Sequence, residues 1–160
     1  MYLPALKKVR RLTASSRRDA FVGTDFSYGD VLGHPVEEWS HRILRKESIE
    51  GTPTIVIESI PRDPAVASAT NYSRRITWLR TADMVPLKTE YYGPQQGLVK
   101  VYSASDIRLV DPTRRCFQPM RQTMKNVVTG HTTVVEYASF KTDMAFGADM
   151  FQPRAIERGL

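Results

Sequence analysis

The residues that could do chemistry are few and far apart. Three histidines, His34, His41 and His131, stand in separate stretches, with no H-x-x-H, H-E-x-x-H or C-x-x-C pattern beside them. Zinc or iron needs several ligands at suitable spacing, so no metal site is expected. The carboxylates are scattered singly apart from Glu37-Glu38, which on a strand point to opposite faces. No pair is arranged in sequence for acid–base work. Glycine-rich phosphate loops and a G-x-S-x-G nucleophile elbow are absent. The single cysteine, Cys116, excludes an intramolecular disulfide and reads as a partly buried small hydrophobe. His41 shares a strand face with Trp39 and Ile43 and reads as structural. The chain is expected to be no enzyme and to need no cofactor.

The elements that would carry any site are strands. Along the chain, apolar and polar residues alternate with period two in runs that end at turn signals. Residues 2–11 read as a strand, with Pro4 at a position not needing its N–H. The polar stretch 13–19 reads as a loop. Ser27-Tyr-Gly-Asp30 has the form of a capping box opening a short helix that Gly33 and Pro35 end. Strands follow over 36–47, 54–60, 74–80, 85–92, 98–110, 116–127 and 131–142. Residues 65–71 read as a loop or short helix, and a last short helix begins near Pro153 and ends at Gly159. Short turns between successive strands imply an antiparallel meander, all-β with short helices, that forms a curved sheet or curls into a barrel.

At 160 residues the chain fits one domain, residues 1–160, with 41% apolar and 25% charged side chains. No apolar run is long enough to span a bilayer as a helix. The start is apolar first and basic second, the reverse of a secretory signal. The net charge of +6 invites an anionic partner, yet the basic residues fall in pairs such as Arg17-Arg18, Arg74-Arg75 and Arg114-Arg115. Charged strand edges explain them without a nucleic-acid partner, and none is expected.

What remains is apolar surface. Ile55 with Ile57, Ile76 with Trp78, Leu87 with Tyr91, Val99 with Val101, Met120 with Met124, and Val135 with Tyr137 each fall in phase on a strand. On the strand 98–110, Val99, Val101, Ile107 and Leu109 form one face, and Lys100, Asp106 and Arg108 the other. This surface is either the core of a closed barrel or, with little helix to cover it, a concave site for an apolar ligand.

One set of segments resembles a known family. Tyr2-Leu-Pro-Ala-Leu-Lys-Lys-Val-Arg-Arg11 and Phe21-Val-Gly-Thr-Asp-Phe-Ser-Tyr-Gly-Asp30 are similar to the outer-membrane lipoprotein-sorting proteins, the relatives of the carrier LolA. Ile57-Glu-Ser-Ile-Pro61, Ile76-Thr-Trp78, Pro86-Leu-Lys-Thr-Glu-Tyr-Tyr92, Val127-Val-Thr-Gly-His-Thr-Thr133 and Phe151-Gln-Pro-Arg-Ala-Ile-Glu-Arg158 follow that family's pattern in order.

The resemblance implies a half-open antiparallel barrel in the periplasm whose concave apolar face shelters lipid or the acyl chains of lipoproteins. Burial of methylenes, at about 0.8 kcal/mol each, would supply the affinity. It also implies an inner-membrane donor, with an RND-type lipid exporter among the candidates, and an outer-membrane acceptor. Docking on such an exporter without cargo is the alternative. The twelve in-phase residues are the cavity candidates, with Trp78, Tyr91 and Tyr137 as its wall. Family members carry a signal peptide, an N-terminal helix and further strands before the segment matching Tyr2–Arg11, so this chain is expected to lack the N-terminal part. Its open sheet edge is expected to pair two copies.

Overall fold

The computed structural model describes residues 17–145 continuously, together with 2–3, 8–9, 147, 152 and 155. The alternating segments form a seven-stranded antiparallel meander: β3 (Trp39–Ile49), β4 (Thr52–Pro61), β5 (Arg74–Arg80), β6 (Pro86–Gly93), β7 (Gly97–Asp111), β8 (Cys116–Asn126) and β9 (Thr132–Glu136). Spatial order follows sequence order, and β3 and β9 are the two edges of a sheet not closed into a barrel. Tight turns set the registers. Glu50 and Gly51 both take positive φ, 48° and 79°, as a two-residue hairpin that continues the strand twist requires.

Two short helices flank the sheet. α1 (Tyr28–Leu32) starts on the expected capping box: Ser27 Oγ accepts from the Asp30 N–H, and Asp30 Oδ2 accepts from the Ser27 N–H at 2.8 Å. α2 (Pro64–Thr70) is capped by Asp63 and ends on Asn71 in the left-handed conformation.

Several expectations change. Residues 2–11 are not one strand: β1 (Tyr2–Leu3) pairs with β2 (Lys8–Val9), Tyr2 opposite Val9. Glu37 and Glu38 lie in a 3-10 turn, where Pro35 initiates the bend, and Glu38 receives Arg17 Nη1 at 2.8 Å. The last strand is shorter than 131–142, because pairing with β8 ends at Glu136. Cys116 is exposed, at the sheet's end. The helix expected at 153–159 falls outside the described residues apart from Ala155.

The dry phase of β7 is also not the one that alternation suggests. Leu109 is 49% exposed, whereas Tyr102, of the opposite phase, is buried. Tyr102 joins Phe26, Trp39, Tyr72, Tyr91 and Met124 in the core cluster. Each such side chain contributes about 1.5–3 kcal/mol by leaving water.

Candidate binding site

Cross-strand pairing decides which residues share a face. Ile43, Ile57, Thr77, Thr89, Tyr102, Met124 and Thr133 stand opposite one another in a row across the sheet. The neighbouring row runs His41, Ser59, Arg75, Tyr91, Lys100 and Asn126. Both rows belong to the face on which residues 17–33 lie. Val56, Trp78, Lys88 and Ser103 pair in the alternate row and face the other way.

The segment 17–33 crosses the sheet as a strap. Arg17 ties one end to Glu38, beside β3. At the far side Asp25 accepts Thr133 Oγ1–H at 2.7 Å and meets His131 Nδ1 at 2.6 Å, while the Asp25 N–H donates to Thr133 Oγ1 at 3.0 Å. Phe26 and Tyr28 are buried under it. Gly29 permits the close fit, since a Cβ there would stand 3.1 Å from both Arg17 O and His34 Cε1.

Two cavities lie under the strap and share Phe26, Asp30 and Gln122 as walls. One, about 350 Å³, is completed by Phe21, Thr24, Val31, Val135 and Tyr137. The other, about 290 Å³, is the more open of the two and is lined by Leu79, Tyr91, Tyr102 and Met124 together with His34 and Arg75. A larger open groove of about 590 Å³ lies around Ile49, Arg80, Lys88, Val101 and Ile107. Apart from Glu50, its charged groups already have partners: Arg80 with Asp83, Lys88 with Glu90, Asp106 with Arg108. The strap cavities combine apolar walls with buried nitrogens of His34 and Arg75 that make no hydrogen bond among the described residues, so they form the better candidate.

Asp30 is the electrostatic centre. Its buried carboxylate accepts the Tyr72 hydroxyl at 3.1 Å and stands 3.5 Å from Lys100 Nζ and 3.8 Å from His34 Nε2. Burial alone would raise its pKa. His34, Lys100 and Ser27 outweigh that and hold it below the usual carboxylate range. The same desolvation pushes Tyr72 well up, and Tyr102 up to about 12, so both stay protonated hydroxyls.

The twelve cavity candidates divide. Ile55, Ile57, Tyr91, Met120, Met124, Val135 and Tyr137 belong to the strap face; of these, Tyr91, Met124, Val135 and Tyr137 line the two cavities. Val99, the extra residue at the β6–β7 bulge, packs against the core cluster. Ile76, Trp78 and Val101 face the opposite side, and Leu87 lines the groove there. Trp78 therefore is no wall of the strap cavities. Its indole N–H donates to Glu47, and Lys88 Nζ lies 4.4 Å over its ring. Phe26, Asp30, His34, Tyr72, Arg75, Lys100 and Tyr102 were not among the candidates. The capping box was the one signal near them, because it fixes Asp30 but not what Asp30 faces.

A family model described only as an uncharacterized protein matches residues 1–158. A domain from Vibrio parahaemolyticus, provisionally named for outer membrane lipoprotein sorting, superposes with TM-score 0.87 at 25% identity, over 98% of this chain and 64% of that one. The chain belongs to the family of that model, and its fold is LolA-like. A DUF1329 family protein from Desulfovibrio piger shares the fold at TM-score 0.84 and 24% identity, over 96% of this chain and 62% of that chain. A LolA superfamily protein from Nitrosomonas europaea shares it at 0.67 and 21%, over 96% and 66%. The LolA-like chain thus spans less than two thirds of these structures. No curated protein matches it.

Proposed function

We propose that this LolA-like protein is a noncatalytic periplasmic carrier that takes an apolar chain of a lipid or lipoprotein into the cavities beneath the strap. The supporting observation is the pair of cavities walled by Phe21, Phe26, Tyr102, Met124, Val135 and Tyr137 and bordered by the segment that crosses the sheet. Apolar walls supply affinity in proportion to buried methylenes, and the strap can be displaced without breaking the sheet. The neighbour named for lipoprotein sorting supports the same reading. Among the described residues no helix is long and apolar enough to cross a membrane.

Native mass spectrometry on protein purified without detergent tests it. Extra mass matching an acyl chain or phospholipid is the expected result. An empty protein that also fails to take up a fluorescent fatty acid would overturn it. Docking on an exporter through the sheet edge is the competing reading, and β3 is an open edge. That strand, however, carries Arg42, Arg45, Lys46 and Glu47, a row of charges of the kind that discourages strand addition or pairing of two copies.

A further inference from the structure

Three neighbouring side chains on the strap face have buried nitrogens without a hydrogen-bond partner among the described residues: His34 at both ring nitrogens, Trp39 at Nε1 and Arg75 at Nε. Of these, His34 and Arg75 line the 290 Å³ cavity. The Arg75 guanidinium lies 4.0 Å over the Trp39 ring, and His34 meets the same indole edge-on at 5.5 Å. His34 packs closely on α1, where a Cβ at Gly29 would stand 3.1 Å from its Cε1.

Charge in the cavity is unbalanced. Asp30 is the one carboxylate among its lining residues, and it is already engaged by Lys100, Tyr72 and the Ser27 N–H, with His34 Nε2 3.8 Å away. Arg75 makes no ion pair among the described residues; its guanidinium lies over the Trp39 ring. A guanidinium taken from water without an anion is costly, and its planar fork matches a carboxylate in two parallel hydrogen bonds. From this charged end the cavity continues over apolar side chains: Leu79, Tyr102, Met124 and Phe26.

We propose that the cavity takes a single-chain carboxylic acid, its carboxylate on Arg75 and His34 and its hydrocarbon on Tyr102, Met124 and Phe26. This rests on the carrier reading and adds to it a charge, a chain number and a direction. The headgroup lies at the His34 and Arg75 end, and the chain points towards the second cavity past Phe26. A volume of about 290 Å³ suits one chain end with a small headgroup, at the lower limit of small-molecule sites.

The test compares hexadecanoic acid with hexadecanol as competitors of a neutral fluorescent lipid probe, on the full chain at pH 7. The acid should bind at least tenfold more tightly than the alcohol. In Arg75→Met that preference should vanish, the acid and the alcohol competing equally. Arg75→Lys, which keeps the charge but not the fork, should retain part of it. Equal binding of acid and alcohol to the unaltered protein would overturn the headgroup assignment and leave the carrier reading standing, and this arm needs no variant. A preference that survives in folded Arg75→Met would overturn it too. Failure of every ligand to bind the folded, unaltered protein would overturn the carrier reading and this inference together.

Discussion

The two faces of the sheet solve one problem in different ways. Both carry large apolar side chains that must leave water. On the strap face a separate segment does the covering: Phe26 and α1 lie over Tyr91, Tyr102 and Met124. On the opposite face the strands cover themselves. Lys88 and Arg45 fold over Trp78, and Arg74 lies 4.1 Å over Tyr92. Their charged ends then pair with Glu90, Glu47 and Glu58. Long basic side chains can bury their stems and keep their heads wet, so Trp78 and Tyr92 need no separate covering segment, and the groove on this face is edged by such charged side chains. A strap cannot fit so closely, and the space left under it is what a ligand can use. Apolar surface alone does not mark a site; the manner of its covering does.

Substitutions can break that contrast, and the largest effect is expected at the foot of the strap face. Trp39 is fully buried, and Trp39→Ala should cost about 3–5 kcal/mol in urea unfolding. Asp30→Asn keeps the helix cap but removes the anion facing Lys100, and should cost about 2 kcal/mol at neutral pH. The folded Asp30 pKa lies below its unfolded value, so its contribution is present above the ordinary carboxylate value of about 3.8 and is lost as pH falls through the folded value. The Asn variant should therefore show a shallower acid destabilisation than the unaltered protein.

Thr133→Val removes two of the strap's far anchors and should cost about 1 kcal/mol, with faster proteolysis within 20–27 as the local readout. The smallest effect is expected on the opposite face. Glu47→Gln should leave the urea midpoint and lipid affinity unchanged, because the pair it breaks is exposed. A loss of lipid affinity there would erase the functional distinction between the faces.

The elements were legible in the sequence because their signals are local. The strand 74–80 and the capping box at Ser27 and Asp30 rest on residues a few positions apart. The faces were not legible. Alternation shows that Ile76 and Trp78 agree with each other, but only register shows that Trp78 stands opposite Val56 and not Ile57. Bulges between Ile43 and Arg45, Trp78 and Leu79, and Tyr91 and Tyr92 each reset the phase from one strand to the next. The site residues Arg75 and Lys100 look like ordinary edge charges in sequence. They become informative only when the strap, dozens of positions away, closes over them.

That closure carries a consequence for the order of folding. Every pairing within the seven-stranded sheet joins consecutive strands, while Asp25 meets Thr133 across 108 positions. Short hairpin loops cost little entropy to close, so the sheet can assemble first and the strap dock last. What docks last opens first, and amide exchange at residues 21–31 should report a lower opening free energy than the centre of β7 and β8. The gate for cargo would then be a piece of reversible unfolding instead of a hinge. Denaturant too dilute to melt any strand should speed the exchange of a bound chain.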